Sequence, residues 1–529
     1  MAQMKTPGVY IVEKSAFPNS VVEAATAIPA FIGITEKAQN GPDSLSGKPW
    51  KITSMTEFQQ YFGGAPAPKF VLSVGDAPKE GDPAPFYSLP SPDGSKAVTV
   101  TDQSGPFSLY YQMVMFYANG GGTCYIISVG TYAEGAPVDK DKVVAALAAM
   151  EKEQEITMVV VPEAASTPDC KDIQTQVLAH CGKMMNRIAI LDVQPKAAAH
   201  ETMSDQIETF RTNVGANFLS YGAAYYPWLN TSVLSDKDID GTVLTWDFTQ
   251  PAPDIAPFFA PDSKFPKYFA DTYAEIAAGK KVVKPAQKDE TGAETAPAET
   301  ADCTPDELAA MKTNLHNALL QNLPGYQYVV NKVKDSLNLL PPSAAMAGLY
   351  TMVDNTRGVW KAPANVSVNY VNSPVENIDN AMQEDLNMPM NGKAVNAIRT
   401  FPGEGIKVWG ARTLDGNSQD WRYVNVRRTM MFLEESVKNA AKAYVFEPNV
   451  AATWMNVRSM IDNFLRSVWK RGGLAGATPE DAYEIHVGLG DTMTATDILD
   501  GIMRITVLVA ITRPAEFIEI TFQQQMQKS

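Results

Sequence analysis

Short apolar runs alternate with amphipathic segments between residues 107 and 228. The apolar runs are each long enough for one buried strand, and they lie at residues 124–129, 156–161, 188–192 and 218–224. Segments with the spacing of amphipathic helices precede them, at residues 107–117, 141–153, 170–185 and 201–213. Continuously apolar strands joined by such helices are typical of βαβ units, in which helices cover both faces of a parallel sheet. The pattern therefore predicts a layered α/β domain.

Two stretches lie outside this pattern. Residues 65–106 are rich in Pro, Gly, Asp and Ser, and residues 230–340 begin with many Pro and Asp residues. These compositions favour turns and loops, and for residues 65–106 we predict a surface insertion. Residues 280–304 have almost no large apolar side chains and cannot bury enough surface to offset the entropy of ordering. We expect a mobile surface loop there.

The last third of the chain predicts a small α+β unit. A helix is expected from about residue 424 to 444, and a second one begins after Asn449, which suits a helix N-cap. The second helix ends at the glycine pair 472–473, and its apolar residues recur at helical spacing. Two strands are predicted to follow, at residues 502–511 and 516–522. The predicted fold class is thus α/β, or α+β overall, with several domains.

Composition narrows the possible classes of function. The chain has 529 residues and a net charge of −15, so it suits a multidomain protein without the basic stripe of a nucleic-acid-binding protein. Its four cysteines are too few for a disulfide framework. The first residues lack the pattern of a signal peptide, and the longest apolar candidate, residues 505–511, is too short to span a membrane. We expect a protein that is made in the cytoplasm and does not insert into membranes.

Candidate chemical sites are sparse. The four histidines lie outside the known hydrolase motifs, although a spatial triad, and hence an α/β hydrolase, stays open as an alternative. A weak calcium-loop match comprises Asp236, Asp238, Asp240 and Asp247. The twelfth position of this loop lacks the usual Glu, so we favour a solvated acidic turn over a metal site. Cys170, His180 and Cys181 do not have the spacing of zinc ligands and are expected in the core.

Several segments resemble those of contractile tail sheath proteins from phages and phage-like particles. In the second half of the chain they are residues 342–348, 354–365, 395–414, 421–428, 445–449, 464–473 and 513–517. In the first half they are residues 7–10, 31–33 and 119–121. The resemblance is specific over 342–520 and weak over 65–106 and 230–340, which implies that both of these stretches are insertions on the outside of the molecule. It does not separate a phage virion from a tailocin or from an extracellular or cell-anchored injection system.

The resemblance implies a structural protein without enzymatic activity or cofactor. Sheath subunits of this family stack as hexameric rings around an inner tube, and the sheath contracts to drive the tube through a target envelope. The implied partners are further copies of the chain, the inner tube protein, and baseplate and terminator or cap proteins. Such a particle assembles in the cytoplasm and is released by lysis. A non-contractile fibre or shell protein is a second alternative.

The implied domains are an N-terminal arm (1–25), a middle and outer α/β region (26–341), an inner domain that contacts the tube (342–511) and a C-terminal arm (512–529). Both arms alternate apolar and polar positions, which suits strands that pair with neighbouring subunits. The residues expected in this exchange are Val9, Tyr10, Ile11, Val12, Phe517, Ile518, Ile520 and Phe522. Pairing of both strands within their own subunit is the alternative.

The second C-terminal helix is cationic although the chain as a whole is acidic. Its cations are Arg458, Arg466, Lys470 and Arg471. The resemblance implies that a helix of the inner domain docks on the tube partly through charge. A solvated helix face with cations near its C-terminal end suits the same pattern. Five arginines in the matching segments are expected in ion pairs rather than in catalysis: Arg357, Arg399, Arg412, Arg427 and Arg428.

Overall fold

A computed structural model describes residues 21–78, 85–196, 201–284 and 299–521, together with the short strands at 287–288 and 294–296. Its strands are β1 (Pro29–Thr35), β2 (Gln39–Asn40), β3 (Asp43–Ser44), β4 (Trp50–Ile52), β5 (Phe70–Asp76), β6 (Tyr87–Pro90), β7 (Lys96–Asp102), β8 (Cys124–Thr131), β9 (Met158–Val160), β10 (Ile188–Asp192), β11 (Gly222–Tyr226), β12 (Leu229–Thr231), β13 (Leu244–Trp246), β14 (Lys280–Lys284), β15 (Gln287–Lys288), β16 (Glu294–Ala296), β17 (Glu299–Asp302), β18 (Leu339–Leu340), β19 (Val366–Ser367), β20 (Val371–Pro374), β21 (Asn396–Phe401), β22 (Gly405–Val408), β23 (Tyr483–His486) and β24 (Thr506–Val509). Its helices are α1 (Met55–Phe62), α2 (Leu109–Ala118), α3 (Lys140–Ala149), α4 (Cys170–Met184), α5 (Met203–Asn213), α6 (Phe265–Ala278), α7 (Pro305–Asn322), α8 (Tyr326–Leu337), α9 (Ser343–Arg357), α10 (Asn380–Asn387), α11 (Val424–Ala441), α12 (Ala451–Lys470), α13 (Pro479–Ala482) and α14 (Ala495–Leu499).

A nine-stranded sheet forms the layered domain, in the order β19-β22-β21-β11-β10-β9-β1-β8-β4. The six strands from β21 to β8 run parallel, whereas β4 and β22 run antiparallel to their neighbours. Strand β1 is buried along its whole length, because helices cover both faces of the sheet. The predicted α/β domain with a largely parallel sheet is confirmed.

Alternate residues of the strands enter two separate cores. Phe31 and Ile126, which are register partners, face a core that includes Phe116 of α2 and Tyr350 of α9. The neighbouring Ile32 faces the opposite core, which is built with α3, α4 and α5. This division follows from the two-residue repeat of a strand and explains why the runs are mostly apolar on both faces.

Two details of this domain differ from the prediction. Strand β11 begins at Gly222, four residues after the predicted start, because Leu219–Tyr221 form a turn of 3-10 helix. Strands β19, β21 and β22 come from beyond residue 342, and α9 shares a core with α2. The boundary expected between residues 341 and 342 therefore lies inside the layered domain.

The two predicted insertions combine into one outer module. Strands β5, β6 and β7 of the first pair with β13 of the second in a four-stranded sheet, and β5 and β13 run parallel. Helices α6, α7 and α8 enclose an apolar core with this sheet, which includes Phe70, Trp246 and Phe269. The insertions thus fold around a core of their own. In the described part of residues 280–304, β14 pairs with β17 and β15 with β16, so the expected loop carries hairpin pairing.

An inner module closes the described chain. Helices α11 and α12 pack against the small sheet β23–β24 around Phe432, Ile461 and Ile485. The predicted helices are confirmed, but the N-cap position of α12 is Val450, because the side chain of Asn449 contacts Trp454 and the carbonyl of Ile502. None of the helices in the described ranges has the length and apolar character that spanning a bilayer requires.

Candidate interaction surfaces

The described end of the C-terminal arm, residues 517–521, is exposed on the surface of its own subunit. Residues 516–521 form neither a helix nor a paired strand. The side chains of Phe517, Ile518 and Ile520 are 69%, 78% and 70% exposed. Three apolar side chains within four residues are thus presented to solvent. Phe522 and the N-terminal exchange residues Val9, Tyr10, Ile11 and Val12 lie outside the described residues.

The sheet β23–β24 is the nearest exposed strand pair to this arm in sequence. Tyr483 pairs with Val509 and His486 with Thr506, and the described residues contribute no third strand to either edge. One face packs on α12, whereas Leu508 on the other face is 53% exposed. A two-stranded sheet is marginal by itself, and its unpaired edges offer backbone donors and acceptors to another strand.

The root of the C-terminal arm is fixed by Glu516. One oxygen of its carboxylate, Oε1, accepts hydrogen bonds from Arg412 Nε at 3.0 Å and Asn387 Nδ2 at 2.7 Å. The other, Oε2, accepts from a terminal nitrogen of Arg412 at 2.6 Å and from the Tyr423 hydroxyl at 2.8 Å. Burial acts to raise the pKa of Glu516, but these donors outweigh it and lower the pKa below its usual value.

The root of the N-terminal arm is held by three contacts with the inner module. Arg471 forms an ion pair with Glu23, and its guanidinium lies 5.2 Å from the ring centre of Trp360. One and three residues further along the chain, backbone groups are held as well. The amide of Ala24 donates to the Ser436 hydroxyl at 2.9 Å, and the carbonyl of Thr26 accepts from Arg428 at 2.8 Å.

Arg428 lies at the junction between the layered domain and the inner module. It pairs with Asp354 through two hydrogen bonds of 2.9 and 2.6 Å, and both side chains are at most 3% exposed. The guanidinium also lies 4.7 Å from the ring centre of Tyr350. The prediction that the arginines of the matching segments form ion pairs is confirmed for Arg412 and Arg428. Arg427, in contrast, is stacked between the rings of Tyr221 and Trp421.

The predicted cationic residues of α12 divide into two groups. Arg458, Arg466 and Lys470 lie on the exposed face of the helix, about one turn or two apart. Asp462, on the same face, lies 3.4 Å from Arg466. Arg471, the fourth residue, follows the helix and is engaged by Glu23, so it belongs to the root of the N-terminal arm. We name Arg458, Arg466 and Lys470 the cationic stripe.

The acidic segment of the outer module does not assemble a metal site. Asp236 pairs with Lys334 at 2.5 Å, and Asp238 caps its own turn through Ser235. Asp240 and Asp247 accept from the hydroxyl and amide groups two residues ahead. Within the described ranges, no three His, Cys, Asp or Glu side chains converge as metal ligands would. Asp238, Asp240 and Asp247 thus fix turns, and Asp236 is paired with α8 through Lys334.

None of the three described histidines is paired with a serine or cysteine as in a hydrolase triad. His180 Nε2 lies 3.2 Å from a terminal nitrogen of Arg187, and His316 Nδ1 lies 3.1 Å from the Tyr326 hydroxyl. His486 lies between Glu484 and Asp491 at the surface. Cys170, His180 and Cys181 are buried in the core, as expected. His200 lies outside the described residues.

Sequence reasoning did not single out Glu516 and Glu23, although both fix an arm. Glu516 lies within the segment 513–517 that resembles sheath proteins, but its partner Arg412 is 104 residues away. Glu23 lies 448 residues from Arg471. The acidic composition of the chain gives no way to separate these two carboxylates from the other solvated ones. For Glu516, the sequence offers one indication: it lies in a segment that resembles sheath proteins, next to the apolar residues of the arm.

The family described as phage tail sheath C-terminal domain matches residues 417–525. The tail sheath protein of Vibrio phage KVP40 is 25% identical over 178 residues, which are 33% of this chain and 25% of that protein. A putative prophage major tail sheath protein of Pseudomonas aeruginosa strain UCBPP-PA14 is 26% identical over 155 residues, which are 28% and 39% of the two chains. The matched stretches thus span well under half of these curated relatives.

Solved structures match over the whole chain. The sheath of an extracellular contractile injection system, PVC, in its contracted state is 26% identical with a TM-score of 0.57, and the match covers 99% of each chain. A chain of the baseplate of the anti-feeding prophage, AFP, is 25% identical with a TM-score of 0.56, covering 99% of this chain and 100% of that one. The match therefore takes in the layered domain, the outer module and the inner module together.

Proposed function

We propose that this chain, which belongs to the contractile tail sheath family, polymerises with copies of itself into a sheath around an inner tube. The sheath contracts and drives the tube through a target envelope. The observation that carries this proposal is the extent of the match in fold to the PVC sheath protein, 99% of both chains at 26% identity. We assign the chain a structural role rather than an enzymatic one.

The exposed end of the C-terminal arm supports polymerisation by strand exchange. Phe517, Ile518 and Ile520 present apolar surface that a monomer leaves in water. A neighbouring subunit that accepts this segment buries the apolar side chains and satisfies the backbone groups at once. The corresponding N-terminal residues, Val9, Tyr10, Ile11 and Val12, are proposed to act in the same way.

The edges of β23–β24 are the proposed acceptors for these strands. Each exchanged strand of four to six residues adds backbone hydrogen bonds worth about 1 kcal/mol net apiece, in addition to its apolar face. The gain for one exchange is modest. Repetition around each ring and along the sheath makes the lattice strong, because many such links must break together.

The cationic stripe is the proposed tube-facing surface. Arg458, Arg466 and Lys470 are exposed on one side of α12, although the chain as a whole carries a net charge of −15. A local cationic surface on an acidic protein attracts an acidic partner while the remaining surface repels it. Arg471 is not part of this proposal, because it follows the end of α12 and pairs with Glu23 at the root of the N-terminal arm, whereas Arg466 pairs with Asp462 on the stripe's own face of the helix.

The further partners follow from the same role. A sheath requires an inner tube protein, a baseplate from which assembly starts and a terminator or cap at its far end. We propose that the chain assembles with them in the cytoplasm and leaves the cell within a particle released by lysis. Phage tails, tailocins and other injection systems all suit this description.

Electron microscopy of the purified full chain tests the function. We expect hollow helical tubes from the full chain and far fewer from two truncated proteins, one lacking residues 1–12 and one lacking residues 517–529. The second truncation keeps Glu516, so the root of the arm stays intact. Ile518→Ser and Ile520→Ser together are expected to act like the C-terminal truncation. Tyr328→Ser, at a 69% exposed apolar site of the outer module, is the matched control.

Each outcome of this experiment decides between the candidate functions. Monodisperse monomers from the full chain and from every variant would contradict the polymer and favour a search for an enzymatic site. Tubes from the truncated proteins would contradict strand exchange. Tubes that keep one length and width under all conditions, including mild denaturant, would indicate a non-contractile fibre.

A further inference from the structure

The C-terminal arm changes abruptly from bound to free at Glu516. Before it, Thr512 accepts a hydrogen bond from Asn425 at 3.1 Å, and its hydroxyl donates to the carbonyl of Gly472 at 3.0 Å. After it, each residue from 517 to 521 is exposed. The segment that leads to Glu516 is therefore held against the subunit, whereas the described residues that follow Glu516 are exposed to solvent.

The carboxylate of Glu516 is saturated with donors. Each of its oxygens accepts two hydrogen bonds, from Arg412, Asn387 and Tyr423 together. The Arg412 side chain is 2% exposed, and its remaining terminal nitrogen donates to the carbonyl of Asn387 at 3.1 Å. Bidentate pairing of this kind fixes direction as well as position, since the two planar groups must align.

This arrangement connects the arm to the rigid part of the molecule. Asn387 ends α10, Arg412 follows β22, and Tyr423 immediately precedes α11. The backbone of Arg412 is itself fixed by Asn396 of β21, which donates to its carbonyl at 2.8 Å and accepts from its amide at 2.7 Å. Through β21 the root of the arm is anchored on the nine-stranded sheet.

The surroundings show what the arm would do without this anchor. Beside the root lies a groove of mixed lining, in which Met388 and Trp409, 63% and 38% exposed, lie among polar side chains, and Phe517 and Ile518 of the arm form part of its wall. An arm released from the anchor gains by moving further into this groove, because its apolar side chains and those of the groove then leave water together. An arm covered by its own subunit is no longer available to a neighbour.

We propose that Glu516 is a positioning residue for strand exchange. Its carboxylate fixes the point and direction at which the C-terminal arm leaves the subunit, so that residues 517–521 project toward a neighbouring copy. This inference rests on the proposed function. Anchoring also reduces the conformational freedom that the arm loses when it binds, which strengthens each exchange without adding a contact to it.

Spin-label distances in the monomer test the positioning directly. One label is placed at Thr521→Cys and the other at Ser459→Cys on α12, in a Cys303→Ser background because the other cysteines are buried. We expect a narrow distance distribution in the parent and a broad or displaced one in Glu516→Ala. The matched control is Glu519→Ala, an exposed carboxylate of the arm itself, for which we expect the parental distribution.

Assembly of the unlabelled proteins is the second readout. We expect Glu516→Ala to reduce the yield of tubes by about tenfold or more relative to Glu519→Ala. If Glu516→Ala does not fold by circular dichroism, Tyr423→Phe removes one of the four hydrogen bonds and is expected to broaden the distribution less. An unchanged distribution in the folded variant would overturn the inference, and so would a parental yield of tubes.

The two proposals fail in different ways. If the parent and Glu519→Ala form no tubes, the proposed function fails, while the monomer distances still decide whether Glu516 sets the direction of the arm. If the parent forms tubes and the arm of Glu516→Ala stays narrow, the function stands and Glu516 has only a structural role.

Discussion

His180 is a buried imidazole that the fold holds in its neutral form. Burial, assisted by the positive charge of Arg187, lowers the pKa of His180 to about 4. Because Arg187 donates to Nε2, the ring accepts at that nitrogen and a proton there would remove the contact. The unfolded chain binds this proton near the usual pKa of about 6.5. Stability is therefore fully present above about pH 6.5 and falls as the pH drops toward 4.

Replacement of this imidazole should reduce the pH dependence of stability. We expect His180→Gln, whose amide oxygen still accepts from Arg187, to flatten the fall in unfolding free energy between pH 6.5 and 4, by up to about 3 kcal/mol. Denaturant unfolding of the monomer at several pH values measures this slope. Equal slopes in the parent and His180→Gln would contradict the assignment.

At the scale of elements, the contact between α2 and α9 depends on one glycine. A Cβ at Gly348 would lie 2.4 Å from the carbonyl oxygen of Phe116, so the two helices approach more closely than any side chain allows. We expect Gly348→Ala to lower the unfolding free energy by about 2 kcal/mol or more, because backbone must move to relieve the clash. Thermal or denaturant unfolding of the monomer measures the loss.

Gly122 offers a matched control beside the same pair of helices. A Cβ there would meet its nearest atom, in Thr351, at 3.9 Å, which is an ordinary contact. Gly122→Ala should therefore change stability little. Similar losses in both variants would mean that the helices shift easily and that their close approach is not required.

The sequence predicts these elements well where one periodicity dominates. The runs of the layered domain are mostly apolar on both faces, which is why their assignment as central strands is confirmed. Local chemistry misleads where a side chain has a distant partner. Asn is a residue type that commonly caps helices, yet the side-chain amide of Asn449 donates to the carbonyl of Ile502 and accepts from the indole of Trp454. The core of the outer module was missed because its strands come from segments about 170 residues apart, such as Phe70–Asp76 and Leu244–Trp246.

At the scale of the whole molecule, the resemblance named the residue types of the site but not their partners. Arg412 and Arg428 were expected in ion pairs, and the structure adds Glu516 and Asp354 as their carboxylates. The two members of such a pair are far apart in the sequence, so no local sequence pattern predicts which carboxylate each arginine contacts. The exchange of arms is a further step, since its partner is a second copy of the chain and stays a prediction.

The last prediction concerns the direction in which the inner module faces. If the cationic stripe faces the tube, it lines the lumen of a sheath assembled without the tube, whereas the outer module faces solvent. A bulky polyethylene glycol maleimide should then modify Arg466→Cys much more slowly in assembled tubes than in the monomer. Lys264→Cys, an exposed position of the outer module, should react at the same rate in both. Both variants carry Cys303→Ser.

Comparing the modification rates of Arg466→Cys in the monomer and in tubes distinguishes the orientation of α12 from the intrinsic reactivity of the introduced cysteine. A small maleimide can enter the lumen, so it should modify Arg466→Cys in tubes at close to the monomer rate. A reaction that is slow only with the bulky reagent then indicates that residue 466 faces an enclosed space. If both reagents modify Arg466→Cys equally fast in tubes, α12 lies on the outside. The cations would then form a solvated helix face stabilised by the dipole of α12, and another surface of the inner module would have to contact the tube.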